Sequence, residues 1–276
     1  MSLKSVCCLA ICTLCCLTSS IVTMAQEKPV APPAKMKLVW SDEFDGKSLD
    51  YSRWGVEENA FGGGNQELQI YTDRAKNVRV ENGHLVIEAH RDHAGISGTV
   101  REYSSGRVRT KHRGDWKYGR IEVRAKMPVG QGIWPAIWML PTDEKYGGWA
   151  ASGEIDIMEY RGQTPNEVLG TLHYGAGWPN NKYSGDTFKL KTGSFSDDFH
   201  TFAVDWTEGK IVWLIDGSPW QTQTRWHSEN GQFPAPFDQR FHLLLNLSVG
   251  GHFVGSPNET TKFPQKFLID YVRIYQ

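Results

Sequence analysis

Apolar residues in this chain recur at every second position far more often than at every third or fourth, and that period most constrains its fold. "HLVIEAHR" (84–91), "GRIEVRAKMP" (119–128), "IWPAIWML" (133–140), "VLGTLHYG" (168–175), "RFHLLLNLSVG" (240–250) and "FLIDYVRIYQ" (267–276) all read as strands. "FHTFAVDWTEGKIVWLIDG" (199–217) reads as a hairpin, two alternating runs around the polar turn Thr207-Glu208-Gly209-Lys210. Breaks containing Gly and Pro separate these runs, and there is neither an internal repeat nor a second linker. The pattern predicts one all-β domain, a sandwich of two antiparallel sheets.

The domain is expected over residues 36–276. Residues 1–25 have a positive start at Lys4, an apolar run over 5–22 and small side chains at Thr23 and Ala25, the form of a cleaved export signal. The run is nearly long enough to span a bilayer, but its Ser, Thr and Cys content and the cleavage-like site favour removal. Residues 26–35, QEKPVAPPAK, have the composition of a linker. All five cysteines lie in the leader, so the mature chain would hold together by packing alone in a periplasmic or extracellular space. A formal net charge of −1 supplies no basic stripe for nucleic acid. Nothing in the mature chain requires a membrane, and a monomer is expected. Eleven Trp, ten Tyr and twelve Phe suggest flat apolar faces that serve as ligand platforms as well as core.

"GEIDIMEYRG" (153–162) carries Glu154, Asp156 and Glu159 among core-type residues. In a regular strand Glu154 and Asp156 share one face, and Ile155 and Ile157 share the other. Continuing that register would bury Glu159 in the core, where an unpaired carboxylate is very costly. A β-bulge near Ile157-Met158 removes the conflict, turning Met158 inward and returning Glu159 to the face of the other two acids. Such a row suits a pair of carboxylates working as nucleophile and acid/base, which a retaining glycosidase holds about 5–5.5 Å apart. Like charges in a row push the pKa values apart and favour that division. A Ca²⁺ site and a solvated polar face are the other readings of the same three acids. In "IWPAIWML", Trp134, Ala136, Trp138 and Leu140 share one side, and Ile133, Pro135, Ile137 and Met139 the other. The aliphatic side belongs to the core; the tryptophan side faces either a second apolar contact or an open groove.

The acid strand resembles the active-site strand of glycoside hydrolase family 16, in the bulged form carried by its bacterial laminarinases (endo-β-1,3-glucanases). The likeness extends from "WSDEFDG" (40–46) through "GNQELQIYT" (64–72), "SGRVRTK" (105–111), "YGRIEVRAKMPVGQGIWPAIWMLP" (118–141), "GTLHYG" (170–175), "WPNN" (178–181) and "LNLSVGG" (245–251) to "IDYVRIY" (269–275). It implies a β-jelly roll with a substrate cleft across a concave sheet. It also implies the order of roles, which the face argument leaves open: Glu154 as nucleophile, Asp156 as its electrostatic helper and Glu159 as general acid/base. By the same resemblance Trp134 and Trp138 are sugar platforms, and His173 lies beside the acids. Asn65, Glu67 and Arg107 bond sugar hydroxyls. No cofactor is implied for catalysis, but a structural Ca²⁺ is, at Glu43, Gly83 and Asp270. The implied partner is a β-glucan polysaccharide of the laminarin type, with mixed-linkage β-1,3-1,4-glucan as a further substrate.

Two departures touch the cleft: Phe61 is the only aromatic before three glycines, and Arg161 stands where apolar residues are common. With Arg107 and Lys182, Arg161 leaves open a relative acting on agarose, porphyran or carrageenan. A non-catalytic glucan-binding relative should have lost one or both glutamates, and this chain keeps Glu154 and Glu159. A xyloglucan transglycosylase would carry an extension with disulfides, which this sequence lacks.

Overall fold

The computed structural model describes residues 35–276. The expected leader over 1–25, all of the linker but Lys35, and the five cysteines lie outside the described residues. The strands in chain order are β1 (Leu38–Asp42), β2 (Gly55–Val56), β3 (Gln69–Tyr71), β4 (Val78–Glu81), β5 (His84–Ile96), β6 (Thr99–Ser105), β7 (Arg107–Arg109), β8 (Asp115–Trp116) and β9 (Gly119–Lys126). They continue as β10 (Ile133–Pro141), β11 (Glu154–Tyr160), β12 (Glu167–Tyr174), β13 (Lys182–Lys189), β14 (His200–Thr207), β15 (Lys210–Ile215), β16 (Ser218–Gln223), β17 (Phe241–Val249) and β18 (Gln265–Tyr275). The described residues contain one 3₁₀ turn, Gly62–Gly64, and no α-helix.

Two sheets result. The first runs β16-β15-β14-β9-β18-β5-β6-β3, with β1 beside β18 and β4 beside β5. The second runs β13-β12-β11-β10-β17-β7-β2, with β8 beside β17. Pairing is antiparallel throughout except for β3 with β6. The hairpin closes as its alternation predicts, with Thr207 opposite Lys210.

Period-two alternation places the core. Ile121 and Val123 of β9, Val204 and Trp206 of β14, and Trp213 of β15 point inward from the first sheet. Ile137 and Met139 of β10, Ile155 of β11, and Leu243 and Leu245 of β17 meet them from the second. Burial of these large apolar side chains is the main stabilising term, about 1.5–3 kcal/mol for each one fully removed from water. The opposite face of β10 and β11 is left for the acids and the tryptophans.

One edge of β18 is shared. β1 pairs with its end (Asp42 opposite Val272), and β5 pairs with its start (Leu85 opposite Ile269). Asp270 and Tyr271 lie between the two, next to Glu43 at the exit of β1 and Gly83 at the entry to β5. Beyond β1, the backbone of Lys37 exchanges both hydrogen bonds with Gln276, at 2.7 and 2.9 Å.

Candidate active site

β11 is bulged where the spacing of its acids requires it. Asp156 lies opposite Thr171 of β12, but Glu159 lies opposite Leu169, so three steps on β11 match two on β12. The same slip appears against β10, where Ile137 faces Met158 and Trp138 faces Asp156. Ile155, Ile157 and Met158 all enter the core, and Glu159 returns to the side of Glu154 and Asp156. Asp156 is buried, whereas Glu154 and Glu159 stay half-buried.

The surroundings of the three carboxyls are unequal. Trp149, five residues upstream, donates its indole N–H to Glu154 Oε2 at 2.6 Å. His173 faces Glu154 from the neighbouring strand β12, with Nε2 3.9 Å from Glu154 Oε1 and 3.3 Å from Asp156 Oδ2. Burial raises Glu154 to about 8, helped by the Asp156 charge and opposed by His173 and the Trp149 hydrogen bond. Burial raises Asp156 to about 7, opposed by a hydrogen bond with Glu154. Glu159 is pushed well above the usual range by burial and then by the charges of Asp156 and Glu154, with His173 and the Trp134 indole acting against the shift. The set therefore retains protons near neutral pH, and burial together with the two neighbouring charges favours the acid form of Glu159.

The expected sugar-binding residues divide. Trp134 is nearly buried, packs on Phe253 with ring centroids 4.9 Å apart, and leaves its indole N–H without a partner on the acid side. Trp138 donates its indole N–H to Asn246 at 2.7 Å, and the Arg107 guanidinium stacks on its ring at 4.9 Å. Arg107 also stacks on Tyr71 at 4.9 Å and pairs with Glu57 at 3.5 Å, so it is a buried clamp between two rings. Glu67 is equally internal: its Oε2 accepts from Gln69 at 2.7 Å and from Tyr71 and Ser248 at 3.1 Å each. Its carboxylate packs so closely on Gly63 that a Cβ there would fall 1.9 Å from Oε1. Asn65 closes the glycine turn through its backbone N–H to Gly62 at 3.0 Å, and its carbonyl accepts from His252 at 2.8 Å. Glu67 and Arg107 thus hold the cleft wall, with Oε2 of Glu67 engaged within the protein.

An aromatic wall stands beside Glu154 that the period-two reading did not select. Trp149, Trp178 and Tyr183 are exposed by 43%, 74% and 73%. Trp149 lies 6.4 Å from Trp178 and 5.7 Å from His173, and His173 lies 5.9 Å from Tyr183, centroid to centroid. Trp149 and Trp178 sit in irregular loops, where alternation carries no signal; position just ahead of the acid strand was the only cue for Trp149. Tyr183 is on β13, whose polar sequence hides it.

The residues expected to hold calcium do converge, at the gap on the β18 edge. Their carboxylates are engaged there: Glu43 with Arg273 at 3.0 and 2.8 Å, and Asp270 Oδ2 with Arg124 at 2.5 Å. Asp270 Oδ1 has only His84, at 3.7 Å. The donor set left for a cation is that oxygen with main-chain carbonyls, which suits a hard ion, while the Glu43 carboxylate does not fit.

Comparison with known proteins accords with this arrangement. A glucan endo-1,3-beta-glucosidase from Cryptopygus antarcticus is 44% identical over 253 residues, covering 86% of this chain and 90% of that protein. Glucan endo-1,3-beta-glucosidase A1 of Niallia circulans is 43% identical over 261 residues, covering 88% of this chain but 38% of that protein. The chain therefore spans well under half the length of the Niallia relative. The X-ray structure of the laminarinase from Rhodothermus marinus superposes with a TM-score of 0.78 at 40% identity, covering 87% of this chain and 97% of that one. The sandwich is accordingly the β-jelly roll that the strand pattern and the resemblance led one to expect. The sequence profile described as Glycosyl hydrolases family 16 matches residues 65–273, and this chain belongs to that family.

Proposed function

We propose that this chain is an exported endo-β-1,3-glucanase that cleaves internal bonds of laminarin-type glucans with retention, and accepts mixed-linkage β-1,3-1,4-glucan. One observation carries the mechanism: the three acids share a face, and Trp149 gives Glu154 a 2.6 Å hydrogen bond that favours its anion. Glu154 attacks the anomeric carbon once ionised, forming the new C–O bond as the glycosidic C–O bond breaks. Glu159, held as the acid, gives its proton to the departing oxygen and then takes one from the water that hydrolyses the glycosyl-enzyme. Asp156 and His173 adjust the charge on Glu154 between the two half-reactions. No cofactor takes part in either step.

The cleft supports a neutral glucan over a sulfated galactan. Arg107 is buried between two rings, and Arg161 pairs with Glu167 at 3.3 Å, so neither is a free anion-binding group. The exposed aromatic wall suits the apolar C–H faces of pyranose rings. Export rests on the leader read in the sequence, and a monomer belongs to the same reading.

The deciding experiment measures reducing ends released by residues 26–276 from laminarin, lichenan, agarose and porphyran. Strong release from laminarin is expected. Release from a galactan alone would keep the acids and replace the substrate, and no release at all would favour a glucan-binding protein. A structural Ca²⁺ at Asp270 Oδ1 and the neighbouring main-chain carbonyls belongs to the same reading. EDTA should then lower the melting temperature of the wild type, and Asp270→Asn should abolish that response.

A further inference from the structure

The acids of β11 are held from behind by the other sheet. Trp213, fully buried on β15 of the first sheet, reaches across the core and donates its indole N–H to the main-chain carbonyl of Asp156 at 2.8 Å. Asp156 is the last residue in regular register with β12 before the slip. On β12, Gly170 is the single residue facing the extra step formed by Ile157 and Met158. The Trp213 ring occupies the space beside it: a Cβ on Gly170 would come within 2.6 Å of both Cδ1 and Nε1 of the indole.

We propose that Trp213 is a positioning residue for the hydrolysis, pinning the Asp156 carbonyl so that the bulge forms immediately after it, with Gly170 leaving room for the ring. This rests on the reading of Glu154 and Glu159 given above. The apolar pattern requires an extra residue somewhere between Asp156 and Glu159 to keep Glu159 out of the core, but any of several steps would satisfy it. A bulge disrupts the ladder locally, so carbonyl orientation there needs an outside partner. Trp213 supplies one donor at one carbonyl, and thereby sets the separation of Glu159 from Glu154. Trp213 touches no reacting atom and acts through the backbone of β11.

The test replaces Trp213 by Phe and, in a second protein, by the benzothiophene analogue of tryptophan, which keeps the shape of the ring and lacks the N–H. Both are assayed on laminarin beside the wild type, with kcat, KM and melting temperature recorded. A misplacement on the order of 1 Å costs about 100-fold in rate, so kcat of the isostere is expected to fall by ten- to a hundredfold with KM within twofold. If Trp213→Phe fails to fold, the isostere alone decides. An isostere with wild-type kcat, or one that changes only KM, overturns the proposal. Wild-type protein inert on every glucan would instead sink the activity assignment on which the proposal depends.

Discussion

Trp149 and Glu154 are joined by a 2.6 Å hydrogen bond from an exposed loop to a half-buried strand residue. The bond distinguishes Glu154 from Glu159, which sits on the same strand face and has the more distant His173 charge and the Trp134 indole acting in that direction. The proposed division of labour between two chemically identical side chains thus rests largely on their neighbours.

Glu154→Gln is expected to abolish turnover of laminarin while leaving glucan binding intact, since the amide keeps the shape but cannot attack carbon. Glu159→Gln should lose about 10²- to 10⁴-fold on laminarin. It should lose much less on an aryl glycoside whose leaving group departs unprotonated. Steady-state kinetics on both substrates check the assignment; equal losses on the two would reverse or remove the roles.

Removing the Trp149 donor should move the acid limb of the pH–rate profile. A hydrogen bond to a charged group contributes about 1.5–3 kcal/mol, and one pKa unit is about 1.4 kcal/mol. Trp149→Phe is therefore predicted to shift that limb up by about one to two units. An unmoved limb in kcat/KM would show that the bond seen at Glu154 does not govern its ionisation.

The same carboxyl makes stability fall as pH rises. Glu154 titrates near 4.5 when unfolded and at about 8 in the native protein, so between those values the native state binds the proton that the unfolded chain has released. Its contribution is fully present below 4.5 and is lost as the pH climbs through 8. Glu154→Gln should thus match the wild type in melting temperature near pH 4 and exceed it increasingly toward pH 8. Thermal unfolding followed by circular dichroism at several pH values tests this, and a constant difference would contradict it.

Arg107 offers a separate test of packing. Its guanidinium lies between Tyr71 and Trp138, with Glu57 as its ion partner. Arg107→Ala should cost about 2 kcal/mol in urea unfolding, reduced from the usual buried-pair value because Glu57 keeps Arg109 at 2.9 Å. Arg107→Lys should recover little, because an ammonium lacks the flat face that two rings require. Full recovery with lysine would mean that charge, not stacking, is what matters there.

Much of this was legible in the strand pattern. The bulge could be read because Ile155, Ile157 and Met158 need one side and three acids need the other, so the conflict lies in the residue types themselves. Which glutamate the proposed mechanism makes the nucleophile is not legible in the alternation, because Trp149 and His173 come from a loop and from another strand. Arg107 and Glu67 are named as sugar ligands by the resemblance, and alternation alone does not tell that two rings lie against the one and a Tyr hydroxyl against the other. Trp213 gave no signal, since a tryptophan that packs and one that also donates a hydrogen bond share one alternation.

The paired backbones of Lys37 and Gln276 bring both ends of the domain to one edge of the sheet that faces away from the acids. A partner module fused at either end would hang behind the cleft, out of the path of an incoming polysaccharide. The two ends are also near enough to be bridged by a few residues, so new termini cut in a distant loop would leave the acid face untouched. The domain is in that sense a catalytic head with a single point of attachment.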